Sequence, residues 1–261
     1  MPPQFQFRTI LGLCAASMAI ATGVIPASAA PAAPVPSVVM QAAAANARAL
    51  QGTLVHERHI SISVSAGPMH YSEQNDARLL MANGLYEQLR YTHVVENGKT
   101  LGAAAIEKRD EQINTELARG SGNFKQPFDT RFLQDYSYQT DAKCVCLPNA
   151  VAVRFHSLVR DDSHGDGVMH IDRASGRVLD VTYTPDVLPA HASSCTTTEA
   201  FAEVLPGVWT IVRIERSYHG HVAFFGGGGD VVETLDHFQS VRSARAGLSY
   251  LNDIAQSSGK R

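Results

Sequence analysis

The sequence predicts an α+β, β-rich fold in which one strongly curved antiparallel sheet of about 9–11 strands forms an open half-barrel. Strand-like segments follow one another along most of the chain, with few helical crossovers between them. Two turns are the Asn-Gly pairs Asn83-Gly84 and Asn97-Gly98, which are typical of hairpins because both turn residues need positive φ. A sheet with so many twisted strands tends to curl, and we expect helices to cover its concave face.

Residues 1–29 have the pattern of a cleaved secretory signal peptide. Arg8 is their only charged residue, an apolar run follows it, and Ala27 and Ala29 have the spacing of small residues at a cleavage site. The alternative is an uncleaved membrane anchor, but the apolar run is short for a span of about 20 residues. We therefore expect an exported protein, periplasmic (or secreted), that does not span a membrane after cleavage. Residues 30–36 are a Pro/Ala-rich spacer.

The mature chain is predicted to form one domain over residues 37–253, with a flexible tail over residues 254–261. Hydrophobic residues make up 44% of the sequence, which is typical of a chain with a packed core. Without Arg8 the chain has 21 basic and 25 acidic residues, a net charge of −4. No basic stripe is visible, so nucleic acid is excluded as a partner.

Three segments have the periodicity of helices. The segment 37–50 follows a proline and is rich in alanine, which favours the helix. The segment 101–119 places isoleucine and leucine on one face and ends before a glycine. The segment 241–251 is a shorter amphipathic stretch near the end of the chain.

Most of the remaining chain shows the alternation of apolar and polar residues that predicts strands. Residues 120–141 are the exception, and we expect a loop there with a short helix over residues 129–135. The strands are predicted over residues 53–64, 69–80, 85–96, 151–156, 168–172, 178–184, 200–204, 208–217, 222–225 and 231–238.

The mature chain contains three cysteines, Cys144, Cys146 and Cys195. In an oxidising compartment we expect a disulfide that joins Cys195 to Cys144 or Cys146, with one thiol left over. A bond between Cys144 and Cys146 would be strained. A soft-metal site at these two cysteines is the competing interpretation, and a lone C-x-C is a weak signal for it.

The turn that contains Asp162, His164 and Asp166 loosely follows the spacing of a calcium-binding loop. Histidine is a poor calcium ligand, and Arg173 occupies the position where such a loop has glutamate. We therefore expect a solvated hairpin turn rather than a metal site.

Two further patterns resemble functional motifs. His219 and His221 would lie on one side of a strand, as a metal pair needs, but the sequence assigns no third ligand. Gly226 to Gly229 resemble a phosphate-binding loop, but a strand that begins with Asp230 follows where such loops lead into a helix. We expect no metal site, no cofactor and no catalytic residues, so the chain is not predicted to be an enzyme.

Three local motifs stand out along the predicted strands. After a first helix, a strand opens at Gly52-Thr53-Leu54-Val55. The segment Gly167-Val-Met-His-Ile-Asp-Arg-Ala-Ser-Gly176 has the pattern of a hairpin, and Pro206-Gly207-Val-Trp209 has that of a later turn and strand. These motifs resemble those of the LolA-like superfamily of periplasmic lipoprotein carriers and sensors, which includes LolA, LolB and the amino-terminal domain of RseB. The resemblance implies a half-barrel whose concave face receives acyl chains or an apolar peptide without chemistry.

We therefore expect a non-catalytic binding protein that holds a lipid, a lipoprotein acyl chain or another apolar ligand between the curved sheet and its helices. One alternative is a periplasmic sensor or regulatory protein that binds a partner protein through an edge strand or loop. Another is a hydrolase that uses a His–carboxylate pair. Parity and helix face select the following residues as the expected lining of the ligand site: Val39, Ile60, Ile62, Ile106, Ile113, Phe155 and Ile214.

Overall fold

Over the residues that the structure describes, a computed structural model, the fold is a single open antiparallel sheet of 11 strands with three helices. The described residues are 34–119, 123–141, 147, 149–188, 192–222 and 225–252. The sheet does not close into a barrel, and the predicted β-rich half-barrel is confirmed. Within these residues no helix is long and apolar enough to cross a membrane.

The helices agree closely with those predicted from the sequence. They are α1 (Ser37–Gln51), α2 (Ala103–Ala118) and α3 (Ala244–Asn252), with one 3₁₀ turn at Leu133–Asp135. The strands are β1 (Thr53–Ala66), β2 (Met69–Ala82), β3 (Leu85–Glu96), β4 (Lys99–Thr100), β5 (Tyr136–Asp141), β6 (Ala150–Ser157), β7 (Gly165–Asp172), β8 (Val178–Pro185), β9 (Ala192–Leu205), β10 (Val208–Val222) and β11 (Phe225–Ser240).

The strand order across the sheet is β4-β3-β2-β1-β11-β10-β9-β8-β7-β6-β5. Every neighbouring pair except β1 and β11 is consecutive in the chain. The chain therefore builds one arm of the sheet outward from β1, crosses to the far edge at β5, and returns strand by strand to the middle. The first and last strands then join the two arms along most of their length, from Leu54 opposite Ser240 to Ala66 opposite Gly227.

Turn chemistry explains the first hairpins. Asn83 and Gly84 have φ angles of 53° and 74°, and Asn97 and Gly98 have φ angles of 48° and 76°. Asparagine and glycine tolerate this left-handed region, which two-residue hairpin turns require. The hairpin predicted at Asn83-Gly84 is therefore confirmed, and Asn97-Gly98, predicted to end the third strand, turns the chain into the short strand β4.

Helix α1 covers one arm of the concave face. Val39, Ala42 and Ala43 pack into a filled apolar core with side chains of β6, β7 and β8. Phe128, from the segment that precedes β5, is also buried there. Tyr183 of β8 belongs both to this core and to the wall of a cavity beyond it, so the filled and unfilled regions share one face of the sheet.

Helix α3 packs on the opposite face. Leu251 contacts Val55 and Leu80, whereas Leu79, the neighbour of Leu80 in β2, lines the cavity. Because successive side chains of a strand point to opposite faces, α3 lies behind the cavity and does not roof it.

Several strands differ from the sequence prediction. Lys99–Thr100 form β4, which was not predicted. The strands predicted over residues 222–225 and 231–238 are the end of β10 and one long strand β11, which includes Gly226 to Gly229. Tyr136–Asp141, expected within a loop, is strand β5 and pairs with β6, because Tyr136 is buried among apolar side chains and its hydroxyl donates to the Lys125 carbonyl. Strand β9 begins at Ala192, eight residues before the predicted start at Ala200, so that Cys195 lies in the sheet.

Glycine is favoured at the two ends of the segment from Gly167 to Gly176 for two different structural reasons. Gly176 has a φ of 70°, in the turn after β7, where only a residue that tolerates this region fits easily. A Cβ at Gly167 would lie 2.1 Å from the Thr182 carbonyl oxygen and 2.8 Å from Cζ of Phe155. Neighbouring strands therefore approach closely at Gly167.

We expect Gly167→Ala to lower the free energy of unfolding by about 2 kcal/mol, because the added methyl group must displace backbone atoms of β8. Urea unfolding monitored by circular dichroism measures this. The matched control is Gly102→Ala, since a Cβ at Gly102 meets nothing within 4 Å. Equal stability of the two variants would contradict the close approach at Gly167.

Candidate functional site

A partly open cavity of about 480 Å³ lies between the concave face of the sheet and α2. Its apolar floor comes from the middle strands β1, β10 and β11, where the two arms of the sheet meet. The floor side chains include Ile60, Ile62, Val64, Ile214 and Val231. The volume falls within the range of about 300–1,000 Å³ that is typical of sites for small-molecule ligands.

Helix α2 roofs this cavity but is loosely packed. None of its residues is fully buried. Ile113 and Leu117 are its main apolar contacts, and they pack against a cluster of Leu79, Leu89 and Ala77 on β2 and β3. A helix with so little buried apolar surface can separate from the sheet at lower cost than a core helix such as α1.

Polar side chains attach this roof to the outer edge of β3. The Asn114 side chain accepts a hydrogen bond from the Leu89 amide at 2.7 Å and donates to the Leu89 carbonyl at 2.8 Å. Asp110 accepts from the Tyr91 amide at 2.8 Å. These bonds occupy backbone groups that an edge strand would otherwise expose, so this part of β3 is blocked against pairing with another strand.

An ion cluster joins α2 to β2 and β3. The Arg109 guanidinium lies 2.8 Å from Oε1 of Glu73 and 2.7 Å from Oε2 of Glu96. Glu73 is only 5% exposed and also accepts hydrogen bonds from the Tyr71 hydroxyl and the Asn75 amide. Because Glu73 is buried, the negative charge of its carboxylate needs a compensating positive charge, which Arg109 provides.

A second buried carboxylate lies on the floor. Glu199 is 4% exposed, and it accepts hydrogen bonds from Gln126 at 2.6 Å and from the Tyr183 hydroxyl at 3.0 Å. Burial raises the pKa of Glu199 to about 7, although these hydrogen bonds favour the charged form. The side chain can therefore change its charge near neutral pH.

Four residues of the cavity wall carry a buried polar atom that has no hydrogen-bond partner among the described residues. These atoms are Nε of Arg58, Oδ1 of Asn75, the hydroxyl of Tyr86 and Oε1 of Gln126. Buried polar groups in native proteins are nearly always paired with protein, water or ligand. The wall therefore combines an apolar floor with donors and acceptors that can bind a polar group.

The structure places the predicted lining residues in three environments. Ile60, Ile62, Ile113 and Ile214 lie on the cavity wall. Val39 and Phe155 lie in the filled core beneath α1, away from the cavity. Ile106 is on α2, half-buried and outside the wall. Ligand binding by these seven side chains stays a prediction.

The cysteines are only partly described. Cys195 is buried on β9 and lines the cavity. Cys144 and Cys146 lie outside the described residues, so the disulfide predicted between Cys195 and one of them stays a prediction.

Sequence reasoning missed the charged part of the site. Glu73 and Asn75 share strand parity with Tyr71, so two polar side chains interrupt the inward face of β2 where a core strand would have apolar ones. That pattern could have indicated a polar part of the site. Arg109 gave none, because a helix with many charged residues does not reveal which one faces the sheet.

The predicted solvated turn before β7 contains a buried histidine. His164 is 1% exposed, and its ring nitrogens lie 2.6 Å from Oδ1 of Asp161 and 3.3 Å from Oδ2 of Asp135. Both nitrogens have a carboxylate partner within the protein. This His–carboxylate group is therefore a structural element of the turn and offers no open nitrogen to a substrate.

No family model matches the sequence, and no curated protein matches it significantly. Among solved structures, the chain is similar to a DUF1329 family protein from Desulfovibrio piger, with 11% identity and a TM-score of 0.41 over 85% of this chain and 98% of that one. The LolA superfamily protein NE2245 from Nitrosomonas europaea has 13% identity and a TM-score of 0.36 over 81% of this chain and 95% of that one.

A chain from Vibrio parahaemolyticus, described as an outer membrane lipoprotein-sorting protein domain, has 14% identity and a TM-score of 0.39 over 78% of this chain and 92% of that one. At these identities and TM-scores the likeness transfers no ligand or partner to this chain.

The raised pKa of Glu199 predicts a pH-dependent stability. Its ordinary value is 4.5, so the contribution of the neutral acid to stability is complete below about pH 4.5 and is lost as the pH rises through about 7. Over this window we expect the wild type to lose up to about 3 kcal/mol relative to Glu199→Gln, which cannot ionise.

Urea unfolding of both proteins from pH 4.5 to pH 8 measures the difference. Glu87→Gln, a change at an exposed glutamate of β3, is the control and should keep the wild-type pH dependence. Parallel pH profiles for the wild type and Glu199→Gln would show that Glu199 ionises normally.

Proposed function

We propose that this protein is an exported binding protein that holds an acyl chain or a similar apolar group in the cavity beneath α2. The observation that carries the proposal is the cavity itself, which lies on the same face as the filled core under α1. The part of that face beneath α1 is filled by side chains, whereas the part where the two arms meet is floored by isoleucine and valine and covered by α2, which has no fully buried residue. The arrangement requires no chemical step.

The free energy gained by burying apolar surface is sufficient for binding one acyl chain. Burial of one methylene group is worth about 0.8 kcal/mol, and micromolar affinity corresponds to about −8 kcal/mol. About a dozen buried methylenes therefore leave a margin for the entropy that binding costs. The unpaired polar atoms of Arg58 and Asn75 would then bind the polar end of the same molecule.

The proposed location of the protein is the periplasm or the extracellular space. The charge and apolar pattern of residues 1–29 supports export to the periplasm or beyond, where a lipid or the acyl chain of a lipoprotein needs a protein to cover it in water. Delivery of such a chain to another protein is the finer function that this binding would serve.

Ile62→Trp tests the site, because an indole at the centre of the floor occupies the volume that a ligand needs. We expect a fluorescent fatty acid to bind this variant about tenfold more weakly than the wild type. Ser63→Trp is the matched control, since the neighbouring side chain is exposed on the opposite face and its replacement should leave affinity unchanged. Equal affinities of all three proteins would exclude this cavity as the binding site.

Arg109→Ala tests whether α2 acts as a movable roof. Loss of the two ion pairs to Glu73 and Glu96 should loosen the helix and release the bound fatty acid roughly tenfold faster in stopped-flow displacement. Glu107→Ala changes an exposed residue of α2 outside the cavity wall and serves as the control. A release rate for Arg109→Ala equal to that of the control would mean that the helix does not govern exit.

The alternative of a partner protein that adds a strand finds less support at the β3 edge of the sheet. Such a partner needs free backbone groups at an edge, and side chains of α2 bond those of Leu89 and Tyr91 on β3. A partner that uses the cavity, by inserting an apolar segment under α2, is compatible with the same geometry and would compete with the fatty acid.

A further inference from the structure

The outer face of the sheet carries a cluster of metal-ligating side chains behind the cavity. Glu57 and His59 of β1 and Asp236 of β11 each offer one ligand atom, and these atoms all lie within 4.8 Å of one another. Arg58 and Ile60, which alternate with them along β1, line the cavity. The cluster is therefore on the opposite face, where solvent reaches it.

Strand pairing produces this arrangement. Glu57 lies directly opposite Asp236 in the antiparallel register of β1 and β11, and His59 is the next residue of β1 on the same face. The three side chains thus come from the first and last strands of the domain. A metal ion between them would bridge the one junction that joins the two arms of the sheet.

A contact of Nδ1 fixes the imidazole ring of His59, so that Nε2 can act as a metal ligand. Asp76 of β2 lies directly opposite His59, and its carboxylate is 2.7 Å from Nδ1 of the imidazole. Nε2 then faces Asp236, with 3.4 Å between Nε2 and Oδ1. Metal-binding histidines commonly use one nitrogen for the metal and donate the other N–H to a carboxylate, which fixes the ring.

A β-bulge adds a second imidazole. Between the pairs Val55–Gln239 and Glu57–Asp236, β11 has one residue more than β1, and His237 has a φ of 49°. This places Nδ1 of His237 3.0 Å from Oδ1 of Asp236 and 3.3 Å from Oε2 of Glu57. His237 therefore borders the cluster, although it is not among the three side chains whose ligand atoms all lie within 4.8 Å of one another.

Two further charged groups border the cluster. Arg78 lies 3.2 Å from Oε1 of Glu57, which leaves Oε2 on the side of His237. His93 lies 3.8 Å from the second oxygen of Asp76 and so supports the carboxylate that orients His59.

We propose that this cluster binds a divalent transition-metal ion, with Zn²⁺ as the ion of choice. Nε2 of His59, a carboxylate oxygen of Glu57 and one of Asp236 are the ligands, and water completes four-coordination. Mixed imidazole and carboxylate ligands suit Zn²⁺, whereas Ca²⁺ and Mg²⁺ prefer oxygen alone. The bound ion would tie β1 to β11 and stabilise the fold, independently of any ligand in the cavity.

Isothermal titration of the full mature chain without a polyhistidine tag tests the site with Zn²⁺ alone. The wild type should bind one equivalent, and its thermal midpoint should rise with Zn²⁺ concentration. His59→Ala and Asp236→Asn should each bind at least about tenfold more weakly and lose the thermal shift, and Asp76→Asn should lose about tenfold through misorientation of His59.

His156→Ala is the matched control, because His156 is also exposed and also paired with an aspartate, at 2.7 Å from Asp166. It should bind Zn²⁺ as the wild type does. Circular dichroism of each variant without metal checks folding. The proposal is wrong if Zn²⁺ gives no saturable binding, or if His59→Ala and Asp236→Asn bind it as tightly as His156→Ala. Fatty-acid binding is measured separately, so either proposal can fail alone.

Discussion

The antiparallel pairing of β1 with β11 is the constraint on which the rest of the structure depends. It is the only strand pair of the described sheet that joins the arm β1–β4 to the arm β5–β11. All other neighbours are hairpins that each arm could form alone. This pairing makes one wide sheet out of two narrower ones, and a twisted sheet of that width curls around a concave face.

The two helices on that face cover it in different ways. Helix α1 is rich in alanine, and its Val39 and Ala43 pack into a core filled by aromatic and branched side chains. Helix α2 has no fully buried residue and is held by side-chain bonds to β3 and by Arg109. The difference in packing leaves a filled core on one arm and a cavity where the arms meet.

Two buried carboxyl side chains distinguish the cavity wall from an ordinary apolar core. Glu73 and Glu199 would each be costly to bury alone, and hydrogen bonds and Arg109 compensate only part of that cost. An ordinary core would place apolar side chains at these positions and gain stability. Their retention beside isoleucine and valine fits a surface that binds one molecule with an apolar body and a polar end.

Much of the fold followed from local sequence signals. The Asn-Gly turns, the alternation along β1 and the periodicity of α1 and α2 act through neighbouring residues, and the sequence shows them directly. Strand β5 was missed because aromatic residues in a polar background resemble a loop until β6 pairs with them.

The site was harder to predict than the fold. Strand parity identified Ile60, Ile62 and Ile214 as inward-facing, but it also selected Phe155, which faces inward where α1 fills the space. Parity gives the face of a sheet, whereas the helix above decides whether that face is packed or open. The cluster at His59 and Asp236 was hidden for a related reason, since its members meet only through pairing of the two ends of the domain.

The most direct measurement of the central claim is the native mass of the protein purified from its own compartment by gentle extraction. A cavity that holds an acyl chain predicts a population heavier than the polypeptide by the mass of one lipid or fatty acid, which organic solvent removes. A single species with the bare polypeptide mass, before and after solvent treatment, would contradict the account.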